Sequence, residues 1–151
     1  MSEQDPYRVF VAHLFAENEE YRRVFEYLES RDNFFYINCS DFENVPGSGD
    51  DEALKEALRT QIKEAEVVIF PLALSDGNPM LAGFQLDAAE AFKKPILGIQ
   101  SFGGTVVVDQ AIMSRCTDIV EWNDRVIISA IKRLARGEDT AQWETIEFKL
   151  D

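Results

Sequence analysis

The sequence predicts a single α/β domain in which five parallel strands form one sheet with helices on both faces. Three observations predict it. Short apolar runs alternate with amphipathic segments from Arg8 to Arg136, the order that builds a parallel sheet through right-handed crossovers. Several amphipathic segments open on Asn or Asp, residues that cap helices. The 151 residues are 46% hydrophobic and 28% charged, which suits one domain with a sizeable core.

The elements follow in order. Arg8 to Ala12 (RVFVA) reads as a short buried strand. Asn18 caps a helix whose apolar positions Tyr21, Val24, Phe25 and Leu28 share one face. Asn33 to Asn38 (NFFYIN) is the second strand, and Ser40 to Gly49 is a polar loop. Asp50 or Ser48 caps the next helix, which buries Leu54, Leu58 and Ile62. Val67 to Leu74 (VVIFPLAL) is the most hydrophobic run and is expected to be the central strand. Ser75 to Asn78 is a turn; Asn78 caps and Pro79 starts a helix that runs to about Lys93. Pro95 to Gln100 is the fourth strand, a short helix lies around Asp109 to Ser114, and Asp118 to Trp122 is the fifth strand. Asn123 caps a last helix that buries Ile127, Ala130, Ile131 and Leu134, carries cations at its C-terminal end and stops at Gly137. Beyond it Ile146, Phe148 and Leu150 alternate with polar residues, the period of a sixth strand that adds to a sheet edge of its own chain or a partner's.

Composition excludes several functions. A net charge of −13 disfavours nucleic acid as a partner. No apolar run approaches the ~20 residues that span a bilayer, and the opening residues are too polar for a signal peptide, so the cytoplasm is the expected compartment. Cys39 and Cys116 lack CxxC spacing and read as reduced thiols, and a single His excludes metal sites that need two imidazoles. There is no phosphate loop of the P-loop or dinucleotide type and no GxSxG nucleophile elbow. The acidic pair of a receiver domain and the hydroxyl-rich loop of a flavodoxin are also missing after the first strand.

In an open parallel sheet, ligands bind beyond the C-terminal ends of the strands. Four loops are expected to meet there: His13 to Glu17, Cys39 to Gly47, Leu74 to Asn78 and Ser101 to Thr105. His13, Ser40, Ser75, Asn78, Phe102 and Gly103 are therefore candidate ligand-binding residues. His13 reads either as a general base or as a structural hydrogen-bond partner. Asp76-Gly77-Asn78 offers free N–H groups to an anion, or is only a turn and a cap. Phe102-Gly103-Gly104 lets a flat ligand stack on bare backbone, or is only a loop.

RVFVAH (Arg8 to His13), NFFYINCS (Asn33 to Ser40), ALKEALRTQIKEAEVVIF (Ala53 to Phe70), KKPILGIQSFG (Lys93 to Gly103) and DIVEWNDRVIISAI (Asp118 to Ile131) together resemble the bacterial and archaeal TIR-like family, related to the TIR subunits of Thoeris-type anti-phage systems. The resemblance spans roughly residues 7 to 136. It implies a flavodoxin-like, TIR-like domain over residues 1–137, with residues 138–151 as a C-terminal extension carrying the strand. It also implies a role in signalling or anti-phage defence, and self-association, as a dimer, through the domain or the tail strand.

Catalytic members of the family cleave the nicotinamide–ribose bond of NAD with a Glu early in the third helix, four residues after an aromatic. In this sequence those positions hold Gln85 and Leu81. Nucleoside deoxyribosyltransferases, a related fold, carry a catalytic Glu in a similar context, which also falls on Gln85. A carboxylate is needed because the ribose becomes an oxocarbenium-like cation. An amide lacks the charge, and such a loss commonly costs about a hundredfold or more in rate. On a helix at ~100° per residue, Asp87 and Glu90 do not share the face of Gln85. Asp76 is the possible substitute, with Asp41 and Glu43 behind it.

The expectation is a nucleotide-binding or protein-interaction module without the family's NAD glycohydrolase activity. The alternative is an NAD-cleaving or cyclising N-glycosidase, or a deoxyribosyltransferase-like enzyme, with a relocated carboxylate. No cofactor is required; NAD or an ADP-ribose-like nucleotide is the ligand or substrate in view. If the cleft is otherwise intact, Gln85→Glu should give some activity.

Overall fold

A computed structural model describes residues 5–45, 50–104 and 108–138. Strands β1 (Tyr7–Val11), β2 (Tyr36–Asn38), β3 (Val67–Pro71), β4 (Ile96–Ile99) and β5 (Asp118–Val120) pair in the order β2-β1-β3-β4-β5, all parallel. Helices α1 (Glu19–Glu29), α2 (Asp51–Glu64), α3 (Pro79–Ala91), α4 (Gln110–Met113) and α5 (Asp124–Arg136) connect them. This strand order defines the flavodoxin-like, doubly wound class. The expected C-terminal strand, with Ile146, Phe148 and Leu150, lies outside the described residues.

Strand alternation divides the core in two. Val9, Val11, Val67, Ile69, Leu97 and Ile99 face α1 and α5, packing on Val24, Leu28, Ile127 and Ile131. Phe10, Ala12, Val68, Phe70 and Ile96 face α2 and α3, packing on Leu58, Ile62, Leu81 and Leu86. Burying each such side chain stabilises the fold by roughly 1.5–3 kcal/mol before conformational entropy is counted.

The expected caps form as local chemistry dictates. Asn18, Asp50, Asn78 and Asn123 accept hydrogen bonds from first-turn N–H groups of α1, α2, α3 and α5. Gly137 ends α5 at φ 68°, a left-handed conformation that favours glycine.

Four strands are shorter than expected, β4 only by its end residues Pro95 and Gln100. Only Tyr36–Asn38 pairs with β1; Phe34 is buried instead by stacking on Tyr7, with centroids 5.5 Å apart. The central strand stops at Pro71, because its neighbour β4 ends at the paired Ile99. Leu72–Asp76 then winds into a 3₁₀ turn that buries Leu72 and Leu74 among helix residues, so Ser75 and Asp76 end this turn. β5 stops at Val120, and Trp122 leaves the sheet to pack edge-on to Tyr27. Helix α3 ends at Ala91 rather than Lys93, which adopts φ 57°. Among the described residues no helix is long and apolar enough to cross a membrane.

Candidate functional site

Crossovers leave β1 and β3 in opposite directions, so the switch point lies between their C-terminal ends. The residues that converge there fill it. Gln85 on α3 is wholly buried. Its Oε1 accepts from the His13 backbone N–H at 3.0 Å, and its Nε2 donates to the His13 carbonyl at 2.8 Å and to the Leu81 carbonyl at 3.1 Å. The amide thus satisfies the backbone of His13, one residue past the last residue (Ala12) bonded to β3, much as a neighbouring strand would.

The His13 ring is held from the other side. Its Nδ1 accepts from the Phe15 N–H at 3.2 Å, so Nε2 carries the proton and donates to Gln61 Oε1 at 2.9 Å. The same Gln61 accepts from the Asp41 N–H at 3.0 Å and donates to the Asp41 carbonyl at 3.2 Å. Burial pushes the imidazole pKa below its ordinary value, partly opposed by the Gln61 hydrogen bond and by Asp41. Phe15 adopts φ 58°, a strained conformation for an aromatic residue, with its N–H held by His13. Leu14 closes over Gly77, where an added Cβ would lie 3.0 Å from Leu14 Cδ1. Two glutamines and one neutral histidine therefore tie α2, α3 and the loops after β1 and β2 together.

The other candidates are distributed around this plug. Ser40 is buried and shares hydrogen bonds with Asn38 and with the Tyr21 hydroxyl, the latter at 2.9 Å. A cleft of about 550 Å³ runs between the β2 loop and α2, lined by Ser40, Asp41, Asn44, Thr60, Gln61 and Glu64 among others. The Asp41 carboxylate accepts from the N–H groups of Glu43 and Asn44, which folds its own loop. Ser75 and Asp76 line a separate pocket of about 280 Å³ with Pro79, Asp109 and Ile112. Ser75 donates to the Leu72 carbonyl, and Asn78 caps α3 by accepting from Leu81 N–H at 3.2 Å. Phe102 and Gly103 (φ 74°) sit on the far flank, where Phe102 N–H donates to Glu20 at 2.9 Å. A third pocket, of about 250 Å³, is lined by Leu72, Gln100, Ser101, Gly104, Val108 and Met113.

The structure brings His13 and Gln85 into direct contact and joins Ser40 to them through Tyr21, whose ring lies edge-on to His13 at 6.1 Å. It does not bring Asp76 to Gln85: the pocket Asp76 lines has no Gln85 in its wall, and every hydrogen bond of the Gln85 side chain goes to backbone. The single cleft expected from four converging loops is thus divided, because His13 and Leu14 turn inward at its centre. Asp87 and Glu90 lie on the outer face of α3, paired with Arg115 at 2.5 and 2.7 Å. Gln61 carries the site's central clamp without any sequence signal beyond its place on α2. Arg23 likewise carries no sequence signal, since its partner Phe102 is 79 positions away.

Cys39 and Cys116 are both free, and burial raises both thiols, that of Cys116 to about 11. Among the described residues, no group of three or more His, Cys, Asp or Glu is placed to hold a metal.

No protein-family model matches the chain, and no curated protein matches it. A solved structure of the Clostridium botulinum CMP N-glycosidase BcmB aligns with 83% of this chain and 98% of its own, at 16% identity and a TM-score of 0.47. A likeness that distant carries no argument about chemistry.

Proposed function

We propose that this chain is a TIR-like module that binds a nucleotide or a protein partner and does not break N-glycosidic bonds. One observation supports this reading above the others. Where the resemblance places a catalytic Glu, Gln85 is buried and commits its whole amide to the backbone of His13 and Leu81. It presents neither charge nor surface to a sugar. Cleavage through an oxocarbenium-like transition state needs a carboxylate facing the anomeric carbon. What the C-terminal edge offers instead is a set of separate pockets of mixed polar and apolar lining around the bonded His13–Gln85 centre, suited to recognition.

A second reading rests on the pocket that Asp76 and Asp109 line together, since two carboxylates in one cavity are the equipment of glycosidic hydrolysis. Incubation of concentrated protein with NAD separates the two. The binding reading expects no nicotinamide release, together with a rise in melting temperature on adding NAD or ADP-ribose, or the capture of a second copy of the chain. Sustained release of nicotinamide that Asp76→Ala abolishes would establish the second reading instead.

A further inference from the structure

Arg23 stands apart in this acidic chain. Seven of the nine arginines hold a carboxylate, and Arg125 is also engaged. Among the described residues Arg23 has no acid and no hydrogen-bond acceptor. It is half-buried, with Cζ 3.8 Å from the centroid of the Phe102 ring and 5.7 Å from that of Trp122. A guanidinium over an aromatic ring uses its face, and its N–H edges remain available for forked hydrogen bonds to an anion. In a chain with 28 acidic and 15 basic residues, an unpaired arginine is the less expected arrangement.

A second orphan donor belongs to the same cluster. Trp122 Nε1 is buried and has no acceptor among the described residues. The Trp122 ring lies edge-on to Phe102 at 6.1 Å and to Tyr27 at 5.2 Å. A buried N–H without an acceptor is uncommon and calls for a partner. Phe102 itself is 45% exposed, and the next residues, Gly103 and Gly104, bring bare backbone to the same place; a Cβ at Gly104 would meet open space. Glu20 contacts the cluster, and its carboxylate accepts from the Phe102 N–H at 2.9 Å.

We propose that Arg23, laid on Phe102 beside Trp122, recognises a phosphate-bearing ligand at the C-terminal edge of β4 and β5. Resting on the binding reading above, it names the class of ligand that module takes. The phosphate supplies acceptors to the forked N–H groups of Arg23, and its arrival is reported by the Trp122 ring packed beside Phe102. Phe102 holds the guanidinium in place, so less side-chain freedom is lost on binding than for a free arginine.

The test uses Trp122 fluorescence in a Trp143→Phe background, where Trp122 is the remaining tryptophan of two. The protein is titrated with inorganic pyrophosphate and with ADP-ribose at matched ionic strength. The site expects a saturable emission change that Arg23→Gln weakens at least about tenfold while the variant still unfolds cooperatively, its melting temperature lowered only by the lost stacking on Phe102. Arg23→Lys keeps the charge but not the fork, and should also weaken binding, by about threefold or more; it is the second variant if Arg23→Gln fails to fold. Tighter binding of ADP-ribose than of pyrophosphate identifies a nucleotide as the source of the phosphate, and the reverse identifies the free anion. No saturable response to either probe, or equal binding by a folded Arg23 variant and the parent, overturns the site. Nicotinamide release from NAD bears on the non-catalytic reading alone, so the two fail separately.

Discussion

Restoring the missing carboxylate by Gln85→Glu tests the central clamp. The Gln85 side chain receives one hydrogen bond, from His13 N–H, and donates two, to the His13 and Leu81 carbonyls. An ionised glutamate would still accept from His13 but would face two carbonyl oxygens with no donor, in a site closed to water. It therefore stays protonated in the fold. Keeping a carboxyl with an ordinary pKa near 4.3 neutral at pH 7 costs about 1.36 × 2.7, or about 3.7 kcal/mol. The acid has one O–H for two carbonyls, and the bond lost adds about 1 kcal/mol. The expected destabilisation is about 5 kcal/mol at pH 7. At pH 5.5 the protonation part falls to about 1.6 kcal/mol and the total to about 3. Urea unfolding of variant and parent at both pH values measures this directly. Gln85→Met is the control: it loses all three bonds without adding an acid, so its penalty should not change with pH. A Gln85→Glu protein as stable as its parent at pH 7 would mean an ionised, solvated carboxylate and an open pocket. The same outcome would revive the expectation that this substitution gives some N-glycosidase activity.

Three further substitutions probe the imidazole and the packing of β4. His13 must be neutral, because Nδ1 accepts from the Phe15 N–H, and its pKa is lowered in the fold. The unfolded chain therefore binds the proton first: stability owed to His13 is full above about pH 6.5 and is lost as pH falls below it, with a slope of at most about 1.4 kcal/mol per pH unit. Urea titrations between pH 7.5 and 5.5 should show this slope in the parent and not in His13→Asn; identical profiles would refute the neutral-imidazole assignment. Gly98→Ala places a Cβ 2.8 Å from Cys116 Sγ and 3.3 Å from Ile119 Cγ1, and should destabilise by about 1–3 kcal/mol. Adding Cys116→Ala removes the closest atom, so thermal unfolding of the double variant should show a coupling that returns part of that loss.

The sequence by itself determined the strand–helix alternation, the Asn and Asp caps, the Gly137 stop and the class of the sheet. Each of these is local: a 3.6- or 2-residue period, or a side chain bonding an amide two or three residues away. It also determined that an amide stands where the resemblance expects an acid, and that Asp87 and Glu90 point elsewhere on α3. Strand ends are not legible in the sequence because pairing decides them: Leu72–Leu74 is as apolar as Val67–Pro71 but winds into a 3₁₀ turn beyond the last pair, Pro71 with Ile99. Only the tertiary structure decided what the candidate residues do. The clamp of Gln85 on His13 spans 72 positions and that of His13 on Gln61 spans 48, and the stacking of Arg23 on Phe102 joins α1 to the loop after β4. No periodicity records such contacts, since they depend on which strand ends the crossovers bring together. For the same reason a buried, fully bonded amide and an open, ligand-ready one read alike in one dimension.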